Sequence, residues 1–154
     1  MNKIFCYLNI ETLGIRWIFL RMFFVLPVIP LYAGESHKVL ISEIMAVNNS
    51  GLKDKDGDFS DWIEIFNPAS DPVNLSGWAL TDNPGNPGKW KFPALSLPGN
   101  GYLVVFASEK NRSLAGQELH TNFKLSGSGE YLALMEPDLQ TVSFSFGESF
   151  PVQQ

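Results

Sequence analysis

The pattern in this chain best suited to chemistry is a run of carboxylates, Asp54-Lys55-Asp56-Gly57-Asp58, with Asp61 three residues further on. Acids at i, i+2 and i+4 around a glycine resemble the opening of a calcium loop, since a hard cation takes several oxygen ligands and glycine lets the backbone turn sharply. The rest of that pattern is missing. An EF-hand has Gly at its sixth position and Glu at its twelfth, and Phe59 and Ile65 stand there instead. Lys53 and Lys55 also offset part of the charge. The competing reading is a solvated turn in the long connection 48–59, where aspartates bond their own backbone and Gly57 takes a positive φ. The mismatch favours the turn, so no metal or other cofactor is expected, and calcium at the Asp54–Asp61 loop is the one exception kept open.

Nucleophilic chemistry has less to work with. The two histidines are His37 and His120, and nothing in the spacing ties either to a hydroxyl such as Ser42 or to an acid such as Asp61. A nucleophile needs a base within hydrogen-bond reach and a third group to orient it. There is no G-x-S-x-G elbow, no phosphate-binding lysine loop and no zinc-spaced histidine pair. Gly127-Ser128-Gly129 reads as a hairpin turn, because no helix signal follows it. No catalytic residue is assigned, and the chain is read as not an enzyme. Glu64 is expected to face solvent or pair with a lysine across a sheet. Trp62 shares its face and is a candidate for an exposed binding patch, although burial in the core is favoured for it.

The elements that would position these residues have a period of two. Trp90 and Phe92 alternate with Lys89 and Lys91; Val142, Phe144 and Phe146 alternate with Thr141, Ser143 and Ser145; Ile63 and Ile65 lie opposite Trp62, Glu64 and Phe66. Tyr102–Ala107 and Tyr131–Met135 are apolar on both faces and read as central strands covered on both sides. Turn residues such as Asn67-Pro68, Asp71-Pro72 and Pro98-Gly99-Asn100-Gly101 recur every 8–15 residues or so, which suits a β-sandwich. Strands are predicted over 39–47, 61–67, 73–82, 89–92, 101–107, 119–125, 130–136 and 141–146, with a short helical turn over 108–114. The expected core is aromatic: Trp62, Trp78, Trp90, Phe92, Tyr102, Phe106, Phe123, Phe144 and Phe146.

At the N-terminus, Arg16 and Arg21 precede the apolar run Met22–Ala33, interrupted by Pro27 and Pro30. That is the layout of a signal peptide and is short for a membrane span. Residues 1–33 are therefore read as a signal peptide (or an N-terminal anchor), 34–38 as a short linker, 39–147 as the domain, and 148–154 as a tail or the start of a linker to a further domain. Cleavage would remove Cys6, the chain's one cysteine, and with it any disulfide or thiolate site. Losing Lys3, Arg16, Arg21 and Glu11 would take the formal charge from −5 to −7. Phosphate backbones repel such a surface, so no nucleic-acid partner is expected.

Several stretches together resemble the lamin tail domain: Ile41–Asn48, Asp56–Asn67, Val73–Asp82, Lys89–Pro93, Gly101–Ser108 and Leu119–Leu134. The resemblance implies an all-β, immunoglobulin-like β-sandwich. The leader and the acidic loop look like the family's bacterial secreted branch, and the family is taken to be a binding or adhesion module with no catalytic residue set. The implied function is a secreted or cell-surface (extracytoplasmic) module that binds a protein or surface ligand, through a sheet edge or the 48–59 loop. The membrane is touched only through an uncleaved leader. The alternative is the N-terminal accessory domain of a larger extracellular enzyme, spore-coat-kinase-like or a hydrolase, whose catalytic part lies outside this chain.

Overall fold

A computed structural model of the chain describes residues 38–153. The leader, Cys6 and His37 lie outside the described residues. Ten strands form three sheets: β1 (Leu40–Met45), β2 (Asp61–Phe66), β3 (Val73–Asn74), β4 (Ala79–Thr81), β5 (Trp90–Lys91), β6 (Ser96–Leu97), β7 (Tyr102–Ala107), β8 (Leu119–His120), β9 (Ala133–Met135) and β10 (Val142–Ser145). One sheet runs β1-β2-β7-β8, a second β10-β9-β4-β5, and β3 and β6 make a small ribbon. All pairs are antiparallel except β7 with β8, which run parallel.

The alternation read in β2 is what builds the core. Ile63 and Ile65 are fully buried, and Val105 of β7 and Ile41 of β1 join them from the same sheet. Leu80, Trp90, Leu132 and Leu134 face them from the second layer, with Leu75, Phe92 and Phe123 filling between. Each such aliphatic side chain removed from water contributes about 1.5–3 kcal/mol. The all-β sandwich is the architecture the period-two patterning demanded.

Four local expectations are corrected. The single strand over 73–82 is two strands in different sheets: Gly77 takes φ +84°, Trp78 N–H donates to Leu75 O at 3.1 Å, and the chain crosses from the ribbon to the second sheet. The helical turn over 108–114 does not form. Glu109 and Asn111 have positive φ, which a right-handed helix excludes, and Arg112 instead exchanges backbone bonds with His120 at 2.9 Å each way. The strand over 119–125 shortens to Leu119–His120, and β6 was not foreseen. The segment after Gly147 packs against the domain: Phe150 is 2 % exposed, and the Gln153 side chain accepts from Ala46 N–H and donates to Ile44 O.

The aromatic core is also redistributed. Trp78, Trp90, Phe92, Phe106 and Phe123 are buried, whereas Phe144 and Phe146 are only partly covered. Trp62 and Tyr102, both expected in the core, sit on the outer face of the first sheet, and Tyr102 is 60 % exposed. The outer face of β7 is therefore covered only at one end: Phe106 on it is buried, whereas Tyr102 is not.

Candidate functional site

The acidic loop folds around Asp54. Its Oδ1 accepts the N–H groups of Asp56 and Asp58 at 3.0 Å each, Ser60 Oγ donates to its Oδ2 at 2.8 Å, and Gly57, at φ +89°, closes the turn. This is the aspartate-centred turn expected from the sequence. What the sequence did not disclose is the cation: the Lys110 ammonium stands among the three carboxylates, bonded to Asp54, to Asp56 at 2.7 Å and to Asp58 at 2.8 Å. Arg112 adds a second contact to Asp56 at 2.8 Å. The three acids have oxygens within 4.8 Å of one another, close enough to share one positive charge, and a lysine supplies that charge. Burial alone would push the Asp54 carboxyl up; hydrogen bonds from Lys110, Ser60 and the Asp58 backbone, with the Lys110 charge, outweigh it and hold Asp54 well below the usual carboxylate range. Burial would likewise lower Lys110, but its bonds to Asp54, Asp56 and Asp58 carry it above the ordinary lysine value. Asp61 takes no part in this cluster. Its Oδ1 accepts the Asn48 N–H at 3.3 Å, and burial raises its pKa.

His120 is held in a chain of polar groups that spacing could not reveal. Its Nδ1 lies 2.8 Å from Ser108 Oγ and its Nε2 lies 3.0 Å from Glu118 Oε1, which also accepts the Lys55 N–H at 2.9 Å. Serine, histidine and acid in line have the connectivity of a nucleophile relay. The environment argues otherwise. His120 has no exposed surface, its ring stacks on Phe106 at 5.4 Å, and the serine faces Nδ1 while the acid faces Nε2, the reverse of the hydrolase triad. Through Lys55, Glu118, Lys110 and Arg112 these bonds fasten the 48–60 loop to the 108–120 segment at both ends. Ser42 is engaged elsewhere, donating to Glu64 Oε1 at 2.7 Å.

The outer face of the first sheet remains. Register places three rows across it: Leu40, Phe66 and Tyr102; then Glu43, Glu64 and Val104; then Met45, Trp62 and Phe106. A bulge between Ile41 and Glu43 brings Ser42 and Glu43 together opposite Glu64. Phe66 and Tyr102 stack with centroids 4.4 Å apart. Of the two expectations for Glu64, the solvent-side placement holds in part, since it is half-buried on this outer face, and no lysine partner is found among the described residues; its neighbours are Ser42 and a second carboxylate.

A family model for the lamin tail domain matches residues 33–147. The chain belongs to the lamin tail domain family. No curated protein matches it. The lamin tail domain is a non-enzymatic, immunoglobulin-like fold, in keeping with the two facing sheets. In this member the packed body continues past the matched residues, through Phe150 to Gln153.

Proposed function

We propose that this lamin tail domain is an exported, non-catalytic module that binds a protein or a cell-surface ligand. One observation carries the reading: a sheet held rigid by a full core on one side presents aromatic side chains to solvent on the other, with Tyr102 the most open of them. The 48–60 loop is the weaker choice for the binding face, because Lys110 and Glu118 fasten it down. The same closure by Lys110 supports a loop that needs no bound cation. The apolar run Met22–Ala33 behind Arg16 and Arg21 supports export, and the formal charge of −5 argues against nucleic acid.

Two measurements test this. N-terminal sequencing of the protein recovered from the extracytoplasmic fraction should begin near Gly34 or Glu35; recovery in the cytosol with Met1 in place would refute export. The immobilised protein should retain a component of that same fraction in stoichiometric amount, and a Tyr102→Ala variant should retain less. Retention of nothing, or equal retention by an unrelated immunoglobulin-like domain, would refute the binding role.

A further inference from the structure

The middle row of the outer face is chemically odd. Glu43 and Glu64 stand directly across from each other on β1 and β2, and like charges in that position oppose pairing. Elsewhere among the described residues the acids that meet do so around a cation, as Asp54, Asp56 and Asp58 do around Lys110. Here the Ser42 hydroxyl is the one side-chain bond to Glu64, and neither glutamate lies in an ion pair with a described residue. On one flank of the two acids runs the apolar row Leu40-Phe66-Tyr102; on the other stand Met45 and Trp62, partly covered, next to Phe106, which is buried.

We propose that this face docks a polypeptide that presents an arginine or lysine flanked by apolar side chains, with the cation lodged between Glu43 and Glu64. The proposal deepens the interaction-module reading and rests on it. Charge complementarity selects the occupant. A cation in the middle row meets two carboxylates at once. The rings of Trp62 and Phe66, two residues either side of Glu64 on the same face, line its flanks and suit a planar guanidinium. The partner's apolar neighbours then fall on the Leu40-Phe66-Tyr102 row and on Met45 and Trp62. A nucleic acid or an acidic surface would meet the two glutamates with the wrong sign.

The test uses the full-length chain, isotope-labelled for backbone amide NMR, titrated with the end-blocked peptide Leu-Arg-Leu-Arg-Leu and with its Leu-Gln-Leu-Gln-Leu counterpart. The arginine peptide should shift the amides of Trp62–Phe66 and Tyr102–Val104. The glutamine peptide, and the arginine peptide on E43Q/E64Q, should each bind about tenfold more weakly, the scale of two half-exposed charge pairs. Tyr102→Ala, which leaves the glutamates in place, should weaken the arginine peptide a few-fold through its lost apolar row. Absent shifts, shifts mapping elsewhere, or equal binding by E43Q/E64Q would overturn the proposal. Sedimentation showing a dimer that Tyr102→Arg dissociates would overturn it too, because a second copy would then be the occupant. A natural partner retained equally by the parent and by E43Q/E64Q would sink this surface while leaving the interaction-module reading intact.

Discussion

Replacing Lys110 with Met removes one ammonium and keeps most of the side-chain volume, so it isolates the charge. The three bonds it breaks are unequal. Asp56 and Asp58 side chains are 40 % and 65 % exposed, so water readily takes the place of the ammonium there. Asp54 is different: its side chain is fully buried, and without Lys110 it is a charge in a low-dielectric site. Removing one partner of a fully buried pair costs about 3–5 kcal/mol. The value here is smaller, because Lys110 is 21 % exposed and Asp54 keeps Ser60 Oγ and the N–H groups of Asp56 and Asp58. A loss of about 2–3 kcal/mol follows, or a fall in Tm of about 10 °C for a domain of this size. Thermal unfolding by circular dichroism reads it. Millimolar Ca²⁺ should then restore part of the loss in Lys110→Met, whose three carboxylates are left facing one another, and should leave the parent protein's Tm unchanged. A variant within about 2 °C of the parent, or a parent stabilised by Ca²⁺, would refute the reasoning that lysine is the cation of this loop.

Acid titration provides a second test. Asp54, Asp56 and Asp138 have folded pKa values below the ordinary one, so their contribution is present above about pH 4 and is lost as pH falls through the folded values. Asp61 and Glu130, raised by burial, act in the opposite sense and soften that loss. Lys110, raised when folded, stabilises up to about pH 10 and loses that contribution above it, so Tm should be level between roughly pH 5 and 9 and fall on both sides. Asn67→Ala should cost about 3 kcal/mol in urea unfolding: the wholly buried amide donates to Asp71 O at 2.9 Å and Pro98 O at 3.1 Å and accepts from Ala69 N–H, and its loss takes these bonds from Asp71 O and Ala69 N–H, while Pro98 O keeps the Gly101 N–H. Phe150→Ala should cost about 3–4 kcal/mol, the scale of emptying a buried aromatic site; an effect below about 1 kcal/mol would mean the terminal segment is not part of the core. A fluorophosphonate probe should leave Ser108 unlabelled, and labelling that His120→Gln abolishes would instead reveal a nucleophile.

The strands with strict alternation could be read directly. In β2 and around Trp90 and Phe92 the side-chain period alone separates the buried face from the open one, and the turn residues mark where each run stops. The aspartate-centred turn could be read for the same reason: Asp54, Asp56, Gly57 and Asp58 interact within five residues of chain. Such local signals, with the joint resemblance of several stretches, sufficed for the sandwich and the family.

What spans the fold could not be read that way. Lys110 reaches Asp54 across 56 residues, and Glu118 meets Lys55 across 63, so no window of sequence contains either pair. The Ser108–His120–Glu118 chain depends on Arg112 pairing back to His120 and on the parallel β7–β8 contact, where the sequence suggested a helical turn. Composition was least informative about the outer face. Trp62 and Tyr102 are as apolar as the core tryptophans, and periodicity assigns them to a face without saying whether another layer covers it. Covering a face is a property of how sheets and loops stack in three dimensions, so only the tertiary structure could show that Tyr102 is exposed and Trp62 only partly covered, with Glu43 and Glu64 beside them.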